Sequence, residues 1–152
     1  MSGEPLPVVM VLGGDPLAFF FGGLEAPYGV FELDLVGGLR GRPVRMVRGK
    51  ITGLPFPANA EIVLEGYVEL DELRTEGPFG DHTGFYSLED EYPVFHVTCV
   101  THRKDPIYAT TIVGPPPMED FYMGKAIERI FLPLMRVTLI SMPTMARSIL
   151  SM

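Results

Sequence analysis

Two carboxylates, Glu76 and Asp81, flank the run Gly77-Pro78-Phe79-Gly80. Glycine admits backbone angles and close approaches that other residues resist, and proline stiffens the segment. A loop of this kind holds two acids at one ligand while keeping side-chain bulk away. Two nearby carboxylates in unlike surroundings acquire different pKa values, so that one stays ionised and the other keeps a proton. That is the requirement for general acid–base work near pH 7. An acidic surface turn has the same composition, and spacing alone leaves both readings open.

The other chemistry-bearing residues are less pointed. Gly13-Gly14-Asp15-Pro16 is followed by neither a Gly-Lys-Ser/Thr nor a G-x-G-x-x-G pattern, so it reads as a turn. His96 and His102 share a strand parity, and Cys99 takes the opposite one. That trio does not converge on one zinc ion without bending the strand. Glu61 and Glu65 fall two pleats apart, about 13 Å along a strand, too far to share a proton. They read as a solvated or ion-paired face. Arg40, Arg42, Arg45, Arg48 and Lys50 cluster. If Val44 to Val47 is a strand, Arg40, Arg42 and Arg48 share a face, either solvated or in contact with an anion or partner.

The elements that must position these groups are mostly strands. Val8 to Leu12 is a β-branched run that meets a turn. Leu17 to Leu24 is apolar and short enough for a small helix. Val30 to Leu35 alternates, with Val30, Glu32 and Asp34 on one side and Phe31, Leu33 and Leu35 on the other, as in a strand. Val44 to Ile51 reads as another. Ala60 to Leu70 is the clearest, with Ile62, Leu64, Gly66, Val68 and Leu70 in one parity. Val94 to Thr101 and Ile107 to Val113 are β-branched strands joined through a turn at His102 to Pro106. Met123, Ile127, Ile130 and Leu134 draw one apolar helical stripe, with Glu119 and Asp120 in the first turn, where they suit the helix dipole. The expected fold is mainly β and antiparallel, with one or two helices.

Composition bounds the rest. The 152 residues fit one domain, and 47% hydrophobic with 20% charged residues suits a chain with a real core. A net charge of −7 repels phosphate backbones and argues against nucleic acid as a general partner. The one cysteine, Cys99, permits no internal disulfide and demands no oxidising compartment. Met1 to Pro5 lacks the basic region of a signal peptide. Phe131 to Leu150 is apolar but holds Pro133, Arg136, Pro143 and Arg147, which argues against a membrane span. The location expected from these features is cytoplasmic.

At this point the motifs resemble a known family. Pro57-Ala58-Asn59-Ala60-Glu61-Ile62-Val63-Leu64-Glu65-Gly66 is similar to the P-A-x-A-E-I-V-L-E-G segment of UbiD-type decarboxylases. Glu76-Gly77-Pro78-Phe79-Gly80-Asp81-His82-Thr83-Gly84-Phe85-Tyr86 resembles that family's E-G-P-[FY]-G-[DE]-x-T-G-Y-Y motif. Thr101 to Tyr108, Gly114 to Asp120, Leu12 to Pro16 and Glu32 to Gly41 match further blocks. The likeness runs from about Pro7 to Leu134.

The resemblance implies a split β-barrel of flavin-reductase type over 1–136, with 137–152 as a divergent tail. It implies non-oxidative, reversible decarboxylation of aromatic or α,β-unsaturated carboxylic acids. The implied cofactor is prenylated FMN, with manganese and potassium at its phosphate. Asp81 matches the proton donor and Glu76 the carboxylate that holds an arginine. Glu32 matches the acidic metal ligand, a hard oxygen donor that suits manganese. Glu61 and Glu65 become structural. The likeness covers only the middle of the family's chain; the arginine, an asparagine and a histidine of the family site come from a preceding segment. The expectation is therefore a partial carboxy-lyase that needs other segments or a partner subunit and forms a homo-oligomer. The alternative is a noncatalytic remnant that dimerises or binds flavin weakly.

Overall fold

The computed structural model describes residues 3–23, 28–81, 83–115 and 117–141. The chain is mainly β, with three helices among those residues, and divides into two compact units. The first unit comprises Met1–Gly80 and Phe85–Thr110; the second comprises Asp81–Gly84 and Thr111–Met152.

The frame of the first unit is a three-stranded antiparallel sheet in the order β1-β4-β5, built from Leu6–Leu12, Ile62–Glu76 and Asp90–His102. The central strand β4 pairs Leu12 with Ile62 on one side and Ile62 with His102 on the other. Both long strands outrun their sequence-read bounds, because the ladder continues past a register shift between Val68 and Leu73. Strands β2 (Met46–Arg48) and β3 (Pro55–Pro57) make a separate two-stranded antiparallel ribbon. The strand expected over Val44 to Ile51 is thus shortened, because the N–H groups of residues 50–52 point at the Glu65 carboxylate instead of a ladder.

Helix α1 (Pro16–Gly22) starts where expected: Asp15 caps it by accepting from the Leu17 N–H at 3.0 Å, and proline occupies its start. Helix α2 (Glu32–Arg40) corrects the strand expected at Val30 to Leu35. Its ends explain the outcome. Glu32 and Asp34 lie in the first turn, Arg40 in the last, and Gly41 closes it in the left-handed region at φ 65. Inside, Leu33 and Val36 recur at helical spacing, and Val36 is fully buried. A short alternating run counted for less than the charges at the two ends and the glycine that closes the helix.

Two further expectations are corrected. No strand forms at Ile107 to Val113: Pro106 has no N–H, and side-chain carboxylates take two of the donors. Glu61 accepts from the Ile107 N–H at 3.1 Å and Glu119 from the Ile112 N–H at 2.9 Å. The strand parity of His96 and Cys99 also changes. His96 pairs with Tyr67 and Cys99 with Glu65, with a register shift between them that leaves Thr98 extra. Tyr67 and Glu65 share a face of β4, so His96 and Cys99 share it too, while His102 pairs with Ile62 and faces the other way.

In the second unit, helix α3 (Glu119–Ser141) carries Glu119 and Asp120 in its first turn, as its sequence leads one to expect. It runs through position 136, and residues 142–152 lie outside the described residues. No helix among the described residues is long and apolar enough to cross a membrane.

Candidate functional site

The carboxylate loop grows out of the sheet. Glu76 ends β4 and pairs with Asp90 at the start of β5. Beyond them the two chains stay side by side: the Ser87 N–H donates to Phe79 O at 2.8 Å, the Phe79 N–H to Ser87 Oγ at 3.0 Å, and Gly80 bridges Tyr86. Between lies Gly77 at φ 101, followed by a cis peptide to Pro78. A Cβ at Gly77 would stand 3.1 Å from Leu88 O. Both the positive φ and the tight approach require glycine here, as the motif suggested.

Glu76 is exposed at the root of this loop. Phe79, Phe85, Tyr86 and Leu88, all large, apolar and exposed, follow it in sequence. Asp81 belongs to the second unit and is half-buried. Its Oδ2 accepts from Thr83 Oγ1 at 3.0 Å, and its backbone O accepts from the Gly84 N–H at 3.0 Å, forming a tight turn. Glu32 is the half-buried first residue of α2, at the positive end of the helix dipole. Among the described residues, neither the Glu32 nor the Glu76 side chain is engaged in a hydrogen bond or ion pair. Glu32 and Glu76 lie in the first unit.

These residues bear differently on the two groups the resemblance implies. Among the described residues no three His, Cys, Asp or Glu side chains gather as a metal site, so Glu32 offers one donor and not a set. The described donors therefore do not fit a metal ion by themselves. For a flavin ring, the exposed side chains of Phe79, Phe85 and Tyr86 offer apolar surface that a planar aromatic group can cover.

The structure also finds residues whose roles the sequence hid. Glu65 is only 1% exposed. It accepts from the N–H groups of Lys50 (2.8 Å), Ile51 (3.0 Å) and Thr52 (3.0 Å), and from Thr52 Oγ1 (2.9 Å). Burial pushes its pKa up, but these four donors outweigh burial and hold it at about 2. It is therefore a buried anion and not part of a solvated face. Glu61 is tied down as well, by the Ile107 N–H and by Arg103 Nη1 at 2.8 Å, and both hold its pKa below the usual carboxylate range. Glu72 meets His96 Nε2 at 2.5 Å and Arg74 Nη2 at 2.8 Å, and its pKa is lowered chiefly by the histidine. His96 also stacks on Tyr67, with ring centroids 5.0 Å apart. Nothing in the sequence signals the burial of Glu65, since it shares its strand parity with Glu61 and Glu69 as well as Val63.

Residues 1–116 match the family model described as the UbiD 3-octaprenyl-4-hydroxybenzoate carboxy-lyase Rift-related domain. An uncharacterized protein of Archaeoglobus fulgidus is 48% identical over 136 residues, covering 90% of this chain and 28% of the relative. One from Aquifex aeolicus is 51% identical over 138 residues, again 90% of this chain and 28% of the relative. The chain thus spans 28% of the length of these relatives. Among solved structures, the open form of vanillic acid decarboxylase from Sedimentibacter hydroxybenzoicus is similar, with a TM-score of 0.73 and 32% identity over 80% of this chain and 27% of that one. The UbiD-class enzyme HmfF from Pelotomaculum thermopropionicum, in complex with FMN, gives a TM-score of 0.71 and 31% identity over 81% of this chain and 27% of that one. An evolved dimeric form of HmfF in complex with prFMN gives 0.66 and 34% identity over 70% of this chain and 25% of that one. With three-quarters of its length matched by the family model and its fold shared with UbiD-class enzymes, the chain belongs to the UbiD family.

Proposed function

We propose that the chain is the flavin-facing middle of a carboxy-lyase that decarboxylates aromatic or α,β-unsaturated carboxylic acids reversibly. The observation that carries this reading is the fold shared with UbiD-class enzymes solved with FMN and prFMN, together with the Glu76–Asp81 loop that continues its central hairpin. In this reading the sheet and the ribbon are parts of a split β-barrel spanning 1–136, and 137–152 is a divergent tail. Prenylated FMN, when bound, supplies a sink for the electrons left on the substrate as carbon dioxide departs. The chain's own residues do the rest. Asp81 delivers a proton to the carbon that has lost its carboxylate. Glu76 holds the cationic partner that keeps the acid–base network charged correctly. The exposed rings of Phe79, Phe85 and Tyr86 shelter the reacting atoms from water. Glu32 would offer one hard oxygen donor to a manganese ion, whose charge, with that of potassium, would offset the cofactor's phosphate. Its remaining donors come from a segment or partner subunit outside the described residues, so no step is assigned to the metal. The working form is a homo-oligomer in the cytoplasm.

The test is reconstitution. The full chain is loaded with prenylated FMN, manganese and potassium, with and without a polypeptide matching the flanking parts of a relative. Carbon dioxide release from an aromatic acid is then measured. Release that needs both polypeptides, and that falls by about a hundredfold or more in Asp81→Asn, is the expected result. Flavin retention with no release under any combination identifies a noncatalytic flavin-binding domain and overturns the proposal.

A further inference from the structure

The arginine run has no part in the chemistry above, and the structure gives three of its members a common setting. Helix α2 ends on Arg40, and the chain then folds back: the Arg42 N–H donates to Gly37 O at 3.1 Å. Further on, the Ala58 N–H donates to Arg45 O at 2.8 Å, anchoring this stretch beside β3. Pro43 stiffens the link between the two anchors. The resulting frame borders a pocket of about 280 Å³ lined by Arg40, Arg42, Arg45, Asn59 and Asp15, with all of its lining in the first unit.

Charge within that pocket is unbalanced. Asp15 is 7% exposed, and its Oδ1 accepts from both the Leu17 N–H and Arg40 Nη2. It offsets one guanidinium. Among the described residues the guanidinium groups of Arg42 and Arg45 have no hydrogen-bond or ion-pair partner, although the chain as a whole carries a net charge of −7. Arg48, by contrast, donates to Gly53 O at 3.0 Å and does not line the pocket.

We infer that this pocket binds a small oxyanion, a phosphate or a carboxylate, between Arg42 and Arg45 with Asn59 as a neutral partner. The guanidinium fork matches two oxygens of either group. The volume suffices for a small ligand of this kind. The two backbone anchors fix where the arginine side chains leave the chain, on either side of Pro43. The site is separate from Glu32: α2 rises 1.5 Å per residue, so its two ends stand about 12 Å apart. The inference therefore stands whether or not the proposed decarboxylation holds.

The test titrates the full chain with inorganic phosphate and, separately, with succinate, followed by calorimetry and amide NMR. Saturable binding of either probe, with shifts centred on residues 40–45 and 58–59, is expected, and the tighter probe names the oxyanion. The double variant Arg42→Gln/Arg45→Gln weakens binding about tenfold or more, while Arg48→Gln leaves it unchanged and circular dichroism shows both variants folded. Arg42→Lys/Arg45→Lys keeps the charge but loses the fork, and binds less tightly than the parent. No saturation with either probe overturns the inference, as does equal weakening by Arg48→Gln, which would mark diffuse charge attraction.

Discussion

Replacing Glu65 by glutamine tests the most unusual feature of the sheet. The carboxylate is 1% exposed and accepts four hydrogen bonds from residues 50–52. Its pKa is held at about 2, against an ordinary value of 4.5. That gap corresponds to about 3 kcal/mol of folding stability at neutral pH. The sign follows from the direction: the folded pKa is depressed, so the contribution is complete above pH 4.5 and is lost as pH falls toward 2. Glutamine keeps one acceptor oxygen but turns an NH₂ toward backbone donors, leaving buried N–H groups unpaired at about 1–3 kcal/mol each. At pH 7, Glu65→Gln should therefore lose about 3 kcal/mol, a fall in Tm of roughly 6–12 °C for a chain of this size. The assay is thermal unfolding of both proteins at pH 7, and urea unfolding of both across pH 7 to pH 2.5. The gap between them should close on acidification, because only the parent titrates at this position. A Tm change under about 2 °C at pH 7 refutes the reasoning, and so does a gap that stays constant to pH 2.5.

Three other outcomes follow from particular contacts. Gly66→Ala should prevent stable folding or cost more than about 3 kcal/mol, because a Cβ there would meet His96 O at 1.8 Å; expression yield and thermal unfolding check it. His96→Phe should let the Glu72 carboxyl titrate at a higher pH than in the parent, since the histidine is the main cause of its lowered pKa; carboxyl NMR shifts followed against pH read this directly. Arg103→Met should likewise raise the Glu61 pKa, but only in part, because the hydrogen bond from the Ile107 N–H also lowers it and remains; the same titration separates the two contributions.

Much of the frame was legible in the residues themselves. The runs that became β1, β4 and β5, the small helix after Asp15, and the amphipathic helix beginning at Glu119 all declared themselves by local periodicity and capping. So did the need for glycine at position 77, which a rigid bend between two acids requires whatever surrounds it. What stayed hidden depended on partners distant in sequence. Val30 to Leu35 alternates as a strand does, yet it lies in a helix that buries Val36 completely. One extra residue at Thr98 turned His96 and Cys99 onto the same face, which no counting of parity reveals. Glu65 looked like one more surface acid until residues 50–52 folded over it, because a carboxylate's burial is decided by the donors that reach it and not by its own neighbours in the chain. Periodicity reports the short-range preferences of a segment; register, burial and charge pairing arise only when separate segments meet.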